Sequence, residues 1–356
     1  MKVNKLLKGE LRVRTRRALM LSGNVCLALM LAVVVVAGCA KEAPAPSPTP
    51  SPQPTVVLRL NGLQAPENHV TVNEQLFADL VEERTGGRVK IETYAAGSLY
   101  AQEDAAMGVA SGAIAFSQVP PEKTAGLAPA AEFSLLPFLF KSWDESLEFH
   151  NEVAWDIVDR QFQANGAKLV FYESLGSDAG FVTVDKQIKT LEDLKGLKLR
   201  IYGDVMNKWM NAAGASPTFL AFAEVYTSLA TGAIDGAMST YDAYYEERWC
   251  EVTNYLVAQP FSLAVFPLIA NLDVWNDLPE DIQDIMLEAG SEAQEQMLMA
   301  AKEADAHYLG LLEDELEINY LSEEEVARWE ELATPFYAEW GTGCPACGEI
   351  MDALGY

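Results

Sequence analysis

Apolar positions change their spacing several times along this chain. Between Asn68 and Arg84 they recur at helical intervals, with Leu76, Phe77, Leu80 and Val81 on one face, and Gly86-Gly87 ends the run. Arg88–Tyr94 (RVKIETY) then alternates apolar and polar residues, as a half-buried strand does. Val56–Asn61 precedes the helix as a strand. A second helical stretch at Glu103–Ser111 leads to a strand at Ala113–Val119. The order β-α-β-α-β predicts a mostly parallel sheet covered by helices. A proline-punctuated stretch ending AEFSLLPFLF follows, then one helix over Trp143–Asn165 and a strand at Lys168–Tyr172.

The most informative stretch runs from Thr190 to Gly236. After a strand at Phe181–Val184, Thr190-Leu-Glu-Asp193 has a threonine at a helix N-cap and an acid at the third helical position, close to a capping box. Leu197–Ile201 is a strand that ends on one arginine, Arg200. Helices over Val205–Ala213 and Ala223–Thr231 lead to a short strand at Ile234–Met238. Pro279 opens a long amphipathic helix from Glu280 to about Glu313, with Ile282, Ile285, Met286 and Ala289 on one face. Ser322-Glu-Glu-Glu325 caps another helix near the C-terminus.

The two ends add chemistry that the periodicity does not. Residues 1–38 carry Lys2, Lys5, Lys8, Arg12, Arg14, Arg16 and Arg17 before a mostly apolar run from Ala18 to Ala37, the layout of an export signal. The run closes Val36-Ala37-Gly38-Cys39, which resembles the bacterial lipobox and implies cleavage before an acylated Cys39. About 20 apolar residues also suffice for a membrane anchor. Residues 39–55 contain six prolines between Pro44 and Pro54, an extended tether that cannot build a core. The remaining body, Thr55 to Tyr356, is long enough for two lobes.

Removing residues 1–38 takes 7 of 25 basic and 1 of 52 acidic side chains, leaving 18 − 51 = −33. Such a chain offers nucleic acid no basic face. An anionic ligand would have to be captured by local donors. Beyond Cys26 and Cys39 stand Cys250, Cys344 and Cys347. The last two, three positions apart in CPAC without strand-to-helix context, fit a local disulfide better than a redox or zinc site. Three histidines (69, 150 and 307) and the absence of Gly-x-Ser-x-Gly, HExxH and paired CxxC motifs argue against an anchored enzyme.

Five ordered blocks resemble the extracytoplasmic solute receptors of TRAP transporters, the DctP-type family. They are FADLVEERTGGRVKIETYAAGSL (77–99), AEFSLLPFLF (131–140), IKTLEDLKGLKLRI (188–201), FAEVYTSLATGAIDG (222–236) and VWNDLPEDIQDIMLEA (274–289). The resemblance implies an α/β, two-lobed periplasmic-binding-protein-like fold, with a ligand cleft between the lobes and a long helix spanning both. The lobes expected are residues 56–176 plus 265–306 and residues 177–264 plus 307–356. It implies a small organic acid as ligand, a TRAP permease as membrane partner and an extracytoplasmic location, to which the lipobox-like segment adds a lipid anchor at Cys39.

By the same resemblance Arg200 takes the place of the arginine that grips the ligand carboxylate, and Phe222 that of an aromatic packed on the ligand. Ser239 stands where many members have asparagine. Tyr241 and Asp242 fall in a segment that in the keto-acid and lactate branch lines the pocket and can hold a ligand-bridging cation; no other cofactor is implied. Tyr172 and Asp178 flank the point where sialic-acid and dicarboxylate members carry a second arginine. No basic residue occurs between Lys168 and Lys186, so a hydroxy or keto monocarboxylate is favoured over a C4-dicarboxylate. Asn68 with His69, and Ser117 with Gln118, lie near the C-terminal ends of strands, the crevice side of open α/β sheets. Gln118 suits an uncharged polar part of a ligand.

Overall fold

The computed structural model describes residues 55–178 and 180–356. The export signal, Cys39 and nearly all of the tether lie outside the described residues. The body opens as the periodicity predicts: β1 (Val56–Asn61), α1 (His69–Arg84), β2 (Val89–Tyr94), α2 (Ala105–Ala110) and β3 (Phe116–Gln118). Asn68 caps α1 by accepting from the Val70 amide. β1 pairs in parallel with both β2 and β3.

The single helix expected over Trp143–Asn165 is divided. α3 (Trp143–Phe149) and α4 (Trp155–Ala164) flank a wider π-type turn at His150–Ala154. That turn buries His150 against Phe133, with ring centroids 4.4 Å apart. The strand expected at Lys168–Tyr172 is much longer, because β4 runs from Ala167 to Asp178.

The second half supplies β5 (Phe181–Thr183), β6 (Lys198–Arg200), α5 (Asp204–Ala212), β7 (Ser216–Thr218), α6 (Val225–Ala230), β8 (Gly236–Ala237) and α7 (Tyr241–Glu246). The expected Ala223–Thr231 helix is α6 preceded by a 3-10 turn at Phe222–Glu224, and the capped segment at Leu191–Leu194 is also a 3-10 turn. Then come β9 (Tyr255–Val257), β10 (Ser262–Asn271), α8 (Leu272–Asn276), α9 (Glu280–Leu312), β11 (Glu317–Asn319), α10 (Glu323–Ala333), α11 (Pro335–Gly341) and α12 (Pro345–Leu354).

Two sheets result, ordered β2-β1-β3-β10-β4 and β11-β9-β5-β8-β6-β7. The first is mixed, since β10 runs antiparallel to β3 and to β4. The β4–β10 ladder extends from Asn271 opposite Ala167 to Ser262 opposite Asp178, with two register shifts along it. The chain passes from the first sheet to the second between β4 and β5, and returns between β9 and β10.

α9, 33 residues and about 50 Å long, packs on α1, β4 and α7. Its N-terminal half buries Ile282, Met286, Ala289 and Ala293 in the first sheet's core. Gln294 accepts a 2.8 Å bond from the Tyr172 amide. Farther on, Asp305 accepts from the amide and hydroxyl of Ser177 at the end of β4. Tyr308 donates to Glu246 of α7. The C-terminal helices touch both halves, with α11 against α5 and α12 against α4. Cys344 and Cys347 form the local disulfide, and Cys250 is a buried free thiol.

A polar knot lies behind β1, β3 and β4. Glu74 of α1 and Glu173 of β4 are both buried, and both Glu74 carboxyl oxygens have no hydrogen-bond partner among the described residues. Gly62 sits directly over Glu74, where any Cβ would collide with the carboxyl. Burial pushes Glu74 up to about 8 from an ordinary 4.5. Glu173 is held well above its usual range by burial first and the nearby Glu74 second, against an opposing hydrogen bond from Gln118.

Two predictions follow from this packing. A Cβ on Gly290 of α9 would stand 2.8 Å from the Phe171 ring, whose position is fixed by Phe77 at 5.1 Å, whereas one on Gly310 meets nothing within 4 Å. Overpacking costs about 1–3 kcal/mol and the helix-propensity gain from Gly to Ala is about 1 kcal/mol. Thermal denaturation should therefore find Gly290→Ala less stable and Gly310→Ala slightly more stable than wild type. The second concerns Glu74. Between pH 4.5 and about 8 the native state keeps a proton that the unfolded chain has released, so this group's contribution to stability falls as pH rises across that window. Glu74→Gln should gain in melting temperature over wild type progressively from pH 4.5 to about 8. A constant difference across that range would mean that the carboxyl is ionised in the fold.

Candidate functional site

A cavity of about 340 Å³ is walled by three parts of the fold. The loop after β1 and the cap of α1 give Leu63, Gln64 and Asn68. The crossing strands give Leu175, Ala264 and Phe266. The second sheet and its helices give Arg200, Tyr202, Phe222, Ser239 and Asp242.

Arg200 is the last residue of β6 and only 5% exposed. Its backbone is locked between β7 and β8, with the Met238 amide donating to its carbonyl at 3.0 Å. Its side chain is oriented from the same place, because Nη1 donates to the Met238 carbonyl at 2.9 Å. The guanidinium carbon lies 5.0 Å from the Tyr202 ring centre and 5.8 Å from that of Phe222. Aromatic faces attract such a cation and keep it planar against the wall. Upstream, the capping box at Thr190 and Asp193 fixes the turn that feeds β6. A buried, permanently charged fork of N–H donors is the natural partner of a carboxylate.

The other expected site residues divide. Phe222 lines the cavity, braced by Trp249 at 5.4 Å. Ser239 lines it too, its amide donating to the Tyr244 hydroxyl at 2.8 Å. Asp242 lines it and accepts from Asn68 at 3.0 Å, a bond that joins α7 to the cap of α1. Tyr241 faces the other way, into the apolar cluster with Val225 and Leu229, and burial pushes its phenol upward. Gln118 is fully buried one layer behind the wall. It donates to Glu173 at 2.6 Å, while the wall residue Gln64 donates to it at 3.4 Å. Tyr172 points into the core against His150 and Trp155, at 4.8 and 5.8 Å. Asp178 closes β4 opposite Ser262, and its side chain lies outside the described residues.

The wall also includes residues that sequence reasoning missed. Tyr202 follows Arg200 by two positions, a signal that was readable. Glu122, Glu246 and Glu247 look in sequence like ordinary solvated acids, yet all three line the same cavity as Arg200. Burial, and then Glu246 and Asp242, raise the Glu247 carboxyl above its usual range. Among the described residues no group of three or more His, Cys, Asp or Glu is arranged to hold a metal ion. The same residues include no helix long and apolar enough to cross a membrane.

Comparison with known proteins agrees with this geometry. The profile of DctP, the bacterial extracellular solute-binding protein family 7, matches residues 62–342. The C4-dicarboxylate-binding periplasmic protein DctP of Rhodobacter capsulatus is 27% identical over 80% of this chain and 86% of its own length. A solute-binding protein of Chromohalobacter salexigens is 30% identical over 68% of this chain and 73% of its own. In structure, a TRAP periplasmic solute-binding protein from Desulfovibrio salexigens with bound orotic acid superposes with a TM-score of 0.80. It shares 23% identity and covers 85% of this chain and 98% of its own. These relatives are solute receptors rather than enzymes, and they share the fold of two sheets in two lobes. With most of its folded body matched in order, the chain belongs to the DctP family of bacterial extracellular solute-binding proteins, the receptors of TRAP transporters.

Proposed function

We propose that this receptor captures a small organic carboxylate on Arg200 and delivers it to a TRAP permease in the membrane. The observation that carries the reading is the buried Arg200 guanidinium in the wall of a cavity that both sheets help to build. Relatives whose ligands are known bind acids, including a C4-dicarboxylate, orotate and glucuronate. Here Arg200 is the single cation among the described residues of the lining. A ligand with one carboxylate matches that better than a dicarboxylate.

The lobes are residues 56–176 plus 265–306 and residues 177–264 plus 307–356. The two crossings, between β4 and β5 and between β9 and β10, act as the hinge. Crystal structures of the empty and ligand-bound protein check this, because the two bodies should rotate as units about the crossings. The mature protein starts at an acylated Cys39 and stands on the outer face of a bacterial membrane. Cys39→Ser should release it from membranes in a fractionation experiment and leave ligand affinity unchanged. A serine variant that stays in the membrane fraction would contradict the anchor.

A thermal-shift screen over organic acids finds the ligand class, since a ligand at about 100 times its dissociation constant adds about 2.7 kcal/mol. Calorimetry on Arg200 variants then tests the contact. Truncating one half of a desolvated, hydrogen-bonded charge pair costs about 2–5 kcal/mol, roughly 30- to several-thousand-fold in affinity. Arg200→Ala should lose that much, and Arg200→Lys should recover little, because an ammonium keeps the charge without the planar fork. Equal affinity in wild type and both variants would remove Arg200 from the site.

A further inference from the structure

From its spacing alone the Cys344–Cys347 bond is a small local crosslink, but the fold gives its sulfurs a reactive setting. The bond joins the N-cap of α12 to the first turn of the same helix, so it ties no two elements together. A crosslink removes less entropy from the unfolded chain the shorter the loop it closes. This one is therefore a weak staple.

Its two sulfurs are not equivalent. Cys347 is 2% exposed and belongs to the apolar cluster that holds Tyr337 and Ile350. Cys344 is half-buried and stands between exposed Gly343 and Pro345. Two nitrogen donors address its sulfur, the Cys347 amide at 3.0 Å and Gln161 Nε2 of α4 at 3.7 Å. Gln161 is itself oriented, because its Oε1 accepts from the Ala130 amide at 2.9 Å. The N-terminus of the ten-residue α12 also favours negative charge at this point. Arg160 of α4 and Glu349 of α12 offset each other in a 2.6 Å ion pair. Charge that develops on Cys344 when the bond opens thus meets donors already in place. Stabilising the reduced form makes a disulfide easier to reduce.

We infer that Cys344–Cys347 is a thiol–disulfide exchange site whose substrates are external thiols, with Cys344 as the sulfur they attack. A first thiolate attacks Cys344 Sγ, forming a mixed disulfide and breaking the bond to Cys347, which leaves as a thiolate and takes up a proton. A second thiolate attacks the external sulfur of the mixed disulfide and expels Cys344 as a thiolate, held by the Cys347 amide and Gln161. Two external thiols are oxidised to one disulfide, and the protein disulfide is reduced by two electrons. Cys347 keeps one thiol proton, and the other stays in solvent while Cys344 is ionised. No residue lining the ligand cavity lies on α4, α11 or α12, so the site is independent of carboxylate binding.

The test places the native protein in millimolar glutathione buffers stepped from mostly oxidised to mostly reduced. Acid quenching, alkylation and peptide mass spectrometry then read the 344–347 pair separately from Cys250. More than half of the pair should be reduced in the most reducing buffers, which structural disulfides of secreted proteins resist. Gln161→Glu keeps the acceptor for the Ala130 amide and replaces the donor to sulfur, so its ratio of reduced to oxidised protein should fall severalfold at equal buffer. With oxidised glutathione, Cys347→Ser should form a mixed disulfide on Cys344 in the folded protein, and Cys344→Ser should form none on the buried Cys347. A pair that stays oxidised until the protein is denatured, a Gln161→Glu variant reduced as readily as wild type, or a mixed disulfide on Cys347 instead of Cys344 would each overturn the inference.

Discussion

Both halves of the body depend on the antiparallel pairing of β4 with β10. Each strand belongs to the first sheet, and each is continuous in sequence with a strand of the second. Two chain crossings are therefore laid side by side and tied by a backbone ladder. Leu175, Ala264 and Phe266 project from this ladder into the cavity, so the same strands that join the halves form part of the cavity wall. α9 holds the arrangement from one side. Its bonds to the Tyr172 amide and to Ser177 grip β4 at two points about 16 Å apart along an extended strand. Loss of that register would disturb the fold and the cavity together.

On this frame the electrostatics are simple in outline. A strongly acidic chain places one guanidinium in a cavity wall and surrounds it with structural neighbours that fix its direction: the Met238 carbonyl and the faces of Tyr202 and Phe222. Long-range attraction contributes nothing to capturing an anion, because the net field repels it. Affinity must come from contacts made after entry, when water has been excluded. In the first half, burial raises the Glu74 and Glu173 carboxyls, and the nearby Glu74 raises Glu173 further, which favours their protonated forms.

Much of the fold was legible because long periodic segments state their own type. α1 and α9 carry enough repeats to fix the buried face, and the Thr190 box marks its turn by hydrogen-bonding chemistry. β10 was hidden by Pro267, which ordinarily argues against a central strand. Here Pro267 needs no donor, and its carbonyl accepts from the Val119 amide. The true length of β4 was hidden by Glu173-Ser174, polar residues that end an apolar run in sequence yet are buried in the sheet. In the site, Arg200, Phe222, Ser239 and Asp242 line the cavity, and each lies where a strand ends or a turn begins. Tyr241, Gln118 and Tyr172 are placed away from the wall by which face of an element they occupy. That face is set by tertiary packing, and short elements give too few periods to read it. Glu246 and Glu247 were unreadable for the opposite reason, since exposed acids on a short helix look the same whether or not a cavity opens beside them.

The most direct measurement is a crystal structure of the protein with whichever acid the thermal-shift screen selects. The account predicts both carboxylate oxygens within about 2.7–2.9 Å of Arg200 nitrogens, the ligand body against Phe222, and both halves closed around it. A ligand bound with its carboxylate elsewhere, with Arg200 still turned to protein groups alone, would contradict the account at its centre.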